Sequence, residues 1–292
     1  MKKKIKNTFP VSLVFLIIFN ISCNTNLSHN NDSINTPPWN LGIQLWTFHL
    51  FPFITAIEKA DSCKLVNLEA YSGQPIGGVY RDSFNINMSE TSKSFVKAFL
   101  KNKKMKLIGF GVLNPTDKNE WKKVFVFAKE LGIQILTAEP RKQDLDYADS
   151  LAGIYGIKIA IHNHPKPAQY WHPDSVLAAS IHHPNIFACA DIGHWARSGL
   201  DPLKCIQLLK GKIADIHLKD VDAFNKIDAN NMILGDGIIN LKAIFSELKN
   251  QSYSGQISIE HEQNWMNNVP DIRLNINWYN QEMLTLFKPN KL

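Results

Sequence analysis

The 292-residue chain is short of several features that fix a protein's class. It has four cysteines, and no pair has zinc-finger spacing. Cys189 lies in an apolar run and Cys205 on a helical pattern, so they read as small core residues and no disulfide framework is expected. No strand–GxGxxG–helix segment is present; Gly77-Gly78 stand in a loop and cannot form a dinucleotide fingerprint. Phe9 to Ile21 (FPVSLVFLIIFNI) is apolar, yet falls short of the roughly 20 residues of a comfortable membrane span. Net charge is also scarce. The formal value is +6, but Lys2, Lys3, Lys4 and Lys6 stand in a leader without acids, and the chain after residue 22 carries only +2. A domain so close to neutral has little electrostatic claim on nucleic acid.

What the sequence does contain begins with that leader. Four lysines followed by a short apolar stretch read as an export signal, with an internal apolar helix as the competing reading. Asn20-Ile21-Ser22-Cys23 resembles a bacterial lipoprotein cleavage site, which implies a lipid on Cys23. Asn20 stands where Leu is usual, so cleavage by an ordinary signal peptidase stays open. Residues 24–40 (NTNLSHNNDSINTPPWN) are polar and Asn/Ser-rich, as a flexible tether would be. The expected organisation is a signal peptide over 1–22, a tether over 23–40 and a folded domain over 41–292. The expected location is the periplasm or a membrane surface, with the lipid as the only membrane contact.

The remaining length suits one large α/β barrel or two smaller domains. Short apolar runs at 42–46, 65–70, 106–112, 133–139, 157–164, 185–191, 213–220 and 256–262 read as strands. Amphipathic stretches lie between them. In WKKVFVFAKELG, Trp121, Val124, Phe125, Ala128 and Leu131 recur at helical spacing and Gly132 supplies the stop. Eight strand–helix units predict a (β/α)8 TIM barrel in a single domain; a doubly wound open sheet is the alternative.

A barrel demands that chemically able side chains gather at the C-terminal ends of its strands. Six of the eight runs end near such residues: Glu69; Glu139; His162 and His164; Asp191 with His194; His217 with Lys219 and Asp220; and Glu260 with His261 and Glu262. Each has a plain alternative: Asp191 as a helix cap, Glu139 and Glu260 in rim salt bridges, His217 as a satisfied core histidine. Together they converge on one mouth. Glu139, Asp191, His217 and Glu260 offer three carboxylates and an imidazole, a set suited to one divalent ion such as Mn2+, Mg2+, Co2+ or Zn2+. The ion would offset most of the ligands' charge of about −3. It would also polarise a carbonyl or hydroxyl while flanking carboxylates move protons on the adjacent carbon.

The motifs LTAEP, IAIHNHP, ADIGHW, DIHLKD and SIEHE, in this order, resemble the sugar phosphate isomerase/epimerase family with the xylose isomerase-like barrel, over roughly residues 41–288. The resemblance implies a metal held by Glu139, Asp191, His217 and Glu260, with Glu139 and Glu260 as the acid/base pair across the substrate. In ketose epimerases of this family two such glutamates exchange the proton next to a carbonyl through an enediolate held by the metal. It further implies that His194 contacts the sugar or the metal's surroundings. Where the best-studied epimerases carry an Arg-containing segment after the histidine, this chain reads Leu218-Lys219-Asp220, which leaves the substrate open. Lys219 would then meet a phosphate, a carboxylate or a keto group, or assist proton transfer. Glu69, His162, His164, His194 and Lys219 are the expected substrate contacts. Trp46, Trp195 and Trp265 form a candidate aromatic wall, 78–88 and 222–237 are candidate lids, and His182-His183 are expected on the surface at the opposite end. The expected activity is isomerisation or epimerisation of a sugar or keto-sugar. The alternatives are a lyase or hydratase acting on 3-keto-glycosides and a non-catalytic sugar-binding lipoprotein. Related abasic-site endonucleases need additional His and Asp ligands, so the expected partner is a small carbohydrate and no nucleic acid. The oligomeric state, a homodimer included, stays open.

Overall fold

In the computed structural model, residues 41–288, Trp39 and Met1 are described. The export signal, Cys23 and the tether up to residue 38 lie outside the described residues. Eight parallel strands, β1 (Leu41–Gln44), β2 (Asn67–Ala70), β3 (Lys106–Leu113), β4 (Ile135–Ala138), β5 (Lys158–His162), β6 (Ile186–Asp191), β7 (Ile213–Leu218) and β8 (Gln256–Ile259), form a closed barrel. Each pairs with its sequence neighbours, and β8 closes on β1 with Leu41 opposite Ile257. All eight expected runs contain a strand. Several end earlier than the runs do, so Glu139, His164, Lys219 and Glu260 stand just past a strand rather than in one.

Nine α-helices among the described residues surround the ring: α1 (Phe53–Ser62), α2 (Glu90–Lys103), α3 (Lys118–Leu131), α4 (Leu145–Tyr155), α5 (Pro173–Ser180), α6 (Ile192–Arg197), α7 (Pro202–Leu208), α8 (Leu241–Asn250) and α9 (Val269–Leu286). In α3, Asp117 caps the first turn by accepting from the Asn119 and Glu120 amides, and Gly132 ends the helix at φ 74°. Its buried face, Trp121, Val124, Phe125 and Ala128, is the one its periodicity predicts. Each such aromatic contributes about 1.5–3 kcal/mol on burial.

Side chains alternate across a strand. One set, including Ile43, Leu68, Leu136, Ile159, Ile161, Ile216, Leu218, Ile257 and Ile259, packs in the main apolar core with the helices. The other set fills the barrel and is mostly polar. Its lower part is a small cluster of Ile135, Ala160, Cys189 and Ala214; above lie Gln44, Glu69, Asp215, His217 and Ser258, all buried. A register shift between Ala188 and Cys189 brings Asp191 opposite His217. At the floor, Trp39 Nε1 donates to Tyr253 O (2.7 Å) and Tyr279 Oη donates to Trp39 O (3.1 Å). Cys63, Cys189 and Cys205 are buried and free; for Cys189 and Cys205 burial was the expectation.

Two antiparallel hairpins interrupt the pattern, Gln74–Gly77 with Tyr80–Phe84 and Asp220–Val221 with Asn231–Met232. Both are anchored to the barrel by their bases. Phe84 at the end of the first is fully buried against Phe53 and Phe110. The second is fastened by Asp220 and Arg197.

Candidate metal centre

A cavity of about 440 Å³ opens at the C-terminal ends of the strands, lined in part by Trp46, Tyr71, His162, His164, His194, Arg197, Glu260 and Glu262. A larger one, about 540 Å³, lies near Leu41, Cys63 and Arg273 at the other end and holds none of the expected site residues.

Asp191 ends β6 and uses its two oxygens differently. Oδ1 accepts from the His194 amide (2.8 Å) and caps α6, so the ordinary capping role is real. Oδ2 faces the cluster below the cavity. Asn163 holds this residue in place: its Oδ1 accepts from Asp191 N (2.8 Å) and its Nδ2 donates to Asp191 O (2.9 Å).

His217, fully buried on β7, spans two carboxylates. Nε2 lies 3.1 Å from Glu69 Oε2, and Nδ1 lies 2.9 Å from Glu260 Oε2. Burial pulls its pKa down, but the Glu260 and Glu69 carboxylates outweigh burial and hold it well above the usual histidine value. Glu69 is only 1% exposed and points down the lumen at His217, not at the mouth. The expectation that it touches substrate is corrected, because the register of β2 places it below the floor of the cavity. Asp215 lies still deeper, where burial and the adjacent Glu69 raise its carboxyl well above the carboxylate range, and Cys189 Sγ donates to it at 3.5 Å.

Lys219 follows β7 and turns inward. Its Nζ is fully buried, 2.9 Å from Asp191 Oδ2 and 3.0 Å from both Glu260 Oε2 and Glu262 Oε2. Burial opposes its charge, but the three carboxylates prevail and its pKa is raised. The same ion pairs, with His217, hold Glu260 low against burial. Lys219 was expected to face substrate; instead it lies beneath the cavity wall, enclosed by its own carboxylates. Arg197, one turn after His194 on α6, donates from Nη1 to Glu262 Oε2 (2.9 Å), from Nη2 to Asn231 Oδ1 (3.1 Å) and from Nε to Ala229 O (3.1 Å). Its Nη1 is also 3.2 Å from His194 Nδ1. A guanidinium cannot accept, so His194 Nδ1 accepts and its proton sits on Nε2, 3.5 Å from Asp191 Oδ2. Burial holds His194 well below its ordinary pKa and hence neutral.

Glu139 pairs with His164 Nδ1, and His162 lies against both partners of that pair. Ligand atoms of His162, Asp191, His217 and Glu260 all lie within 4.8 Å of one another. Three of the four expected ligands are therefore together; Glu139 falls in a neighbouring group with His162 and His164. The donors fit a divalent cation. Among the described residues, His217 Nδ1 and both ring nitrogens of His162 are buried without a hydrogen bond, and Asp191 Oδ2 and Glu260 Oε2 meet the Lys219 ammonium without one of acceptable geometry; a metal would give these donors a partner. Glu69 on Nε2 of His217 is the outer carboxylate that a metal-bound histidine commonly has, leaving Nδ1 toward the cluster.

Of the candidate aromatic wall, Trp46 lines the cavity, stacked on His49 (4.6 Å) and edge-on to Tyr71 (5.0 Å); Trp265 meets His49 edge-on. Trp195 is fully buried in α6 and belongs to the core, which corrects its place in that wall. His183 pairs with Asp146 in the α5–β6 loop, away from the mouth. Arg197 and Asn163 are the residues that sequence reasoning missed. Arg197 was discoverable by its i, i+3 spacing from His194 on a helix; Asn163 carried no signal beyond lying between two histidines.

A family model described as xylose isomerase-like TIM barrel matches residues 97–282. The structure is similar to that of an uncharacterized protein from Parabacteroides distasonis, with 35% identity, TM-score 0.69, and 84% of this chain covering 99% of that one. It also shares its fold with the IolI protein solved with a zinc atom, at 17% identity and TM-score 0.67 over 86% of this chain and all of the other. Inosose dehydratase of Clostridium beijerinckii is 28% identical over 128 residues, 39% of this chain, which spans 43% of that relative's length. The closed barrel and these matches agree: the chain belongs to the xylose isomerase-like TIM barrel family.

Proposed function

We propose that this protein is a divalent-metal-dependent isomerase or epimerase of a sugar or keto-sugar, removing the proton from a carbon next to a carbonyl. The observation that carries the reading is the convergence of buried donor atoms of Asp191, His217, Glu260 and His162 within 4.8 Å of one another at the floor of a cavity of monosaccharide scale. Asp191, His217 and Glu260 would hold the ion, with Glu139 or His162 completing the set. The bound ion supplies polarisation of the carbonyl and charge to offset the enediolate.

Glu139 follows β4 and Glu260 follows β8, half a turn apart around an eight-strand ring. Carboxylates on opposite sides suit removal of a proton from one face of a carbon and its return on the other. His164 holds Glu139, and Trp46 with Tyr71 offers an apolar face to a sugar ring. The export signal over 1–22, with Cys23 as the anchor, supports an exported, lipid-anchored enzyme acting on free or oxidised sugars rather than sugar phosphates. Dehydration is the second reading, favoured by the name of the curated relatives. It starts with the same proton removal, and His164 would then protonate a departing hydroxyl.

The test is incubation with Mn2+ and a panel of free and 3-keto sugars in deuterated water. Deuterium should enter the substrate, and Glu260→Gln should lower turnover by about 10²-fold or more while sparing sugar binding. Binding without any exchange overturns the reading. Products with inverted stereochemistry or a moved carbonyl support isomerisation; loss of water supports the second reading.

A further inference from the structure

We propose that the Lys219 ammonium and a divalent ion compete for Asp191 and Glu260, so that the ion binds by driving the ammonium off these carboxylates toward the cavity. This rests on the metal-dependent reading above and concerns how that site is loaded.

The contacts define a competition. Lys219 Nζ touches Asp191 Oδ2 and Glu260 Oε2, the two carboxylate oxygens that face the buried donor set. A divalent ion on these oxygens would stand within a few ångströms of the ammonium, and the two cations repel each other. The lysine is held by charge alone: Nζ, Asp191 Oδ2 and Glu260 Oε2 form no hydrogen bond of acceptable geometry among the described residues. Its bed is shaped for a stem that carries this head inward. A Cβ at Gly193 would lie 2.7 Å from Lys219 Cβ and 3.1 Å from its Cδ, so the bare backbone of α6 is what lets the stem pass.

A destination is also built. Glu262 Oε2 is already 3.0 Å from Nζ, lines the cavity and is fixed by Arg197 Nη1 at 2.9 Å. Released from Asp191 and Glu260, the ammonium keeps Glu262 as its partner and comes up beside the cavity wall. Held by all three carboxylates the amine is buried; held by Glu262 alone it would meet a substrate oxygen.

Mn2+ binding, measured by electron paramagnetic resonance of the free ion, tests this on wild-type protein, Lys219→Met, Lys219→Gln and Asp191→Asn, each checked for fold by circular dichroism. Both Lys219 variants should bind Mn2+ about tenfold more tightly or better, whether wild-type binding is measurable or not, and Asp191→Asn should lose binding. In wild-type protein, saturating Mn2+ should speed modification of Lys219 by a small amine-reactive ester several-fold, read by peptide mass spectrometry. Wild-type binding that neither folded Lys219 variant tightens, or Lys219 labelling unmoved by Mn2+, overturns the inference and leaves the metal reading standing. No binding by wild type or by either folded Lys219 variant, or full binding by Asp191→Asn, overturns the metal reading and the inference with it.

Discussion

Tyr170 braces the chain next to Glu139. Its hydroxyl donates to Pro140 O at 2.6 Å, fixing the peptide that follows Pro140, one residue past Glu139. Burial pushes this phenol up to about 12. The folded state therefore keeps its proton while the unfolded chain loses it near pH 10, so stability falls between about pH 10 and 12 and levels off beyond. Tyr170→Phe should cost about 1 kcal/mol at pH 7 through the lost hydrogen bond. It should also make the alkaline fall shallower, both read from urea unfolding at pH 7 and at steps from 9 to 12. An alkaline slope equal to wild type would show that another group titrates. At this scale the sequence reveals which side chains stand near a strand end, but not how deep they sit. Glu69 and Lys219 both looked like mouth residues; strand register and an inward turn after β7 put them below it, a matter of partner strands that no single run encodes.

Between β7 and α8 the chain is organised by Asp220. Its carboxylate accepts from the amides of Val221 (3.0 Å), Gly235 (3.0 Å), Gly237 (3.1 Å) and Ile239 (3.1 Å). Gly237 is obligatory because a Cβ there would lie 2.1 Å from Asp220 Oδ1. Asp220→Ala leaves these donors without their acceptor and should cost about 1–3 kcal/mol in chemical denaturation, with faster proteolytic nicking at 222–230. Unchanged nicking would mean that Arg197 alone fastens the hairpin. The polar, Gly-bearing stretch at 222–237 reads as a lid because composition reports a turn-rich segment and not its anchors. Asp220 itself, grouped with the strand-end acids, is a loop organiser.

Across the whole barrel, helix stops such as Gly132 and apolar runs at regular intervals made the eightfold plan readable, as did the polarity switch at each run's end. The polar lumen was not readable, because alternation within four-residue strands is too brief to show which face turns inward. Donors from β5 to β8 meet at the candidate centre, so an ion there would tie four strands. Binding at a hundred times Kd adds about 2.7 kcal/mol, roughly 5–10 °C in Tm for a domain of this size. Thermal unfolding with Mn2+ or Zn2+ should show that rise and lose it on chelation; a Tm indifferent to both ions would mean the centre does not take them. Asp191 joins this site to the backbone in a way that can be watched directly. The amide proton of His194 rests on one oxygen while the other meets whatever cation is present, so the exchange lifetime of that single proton becomes a gauge of occupancy, readable in the resting protein before any substrate is known.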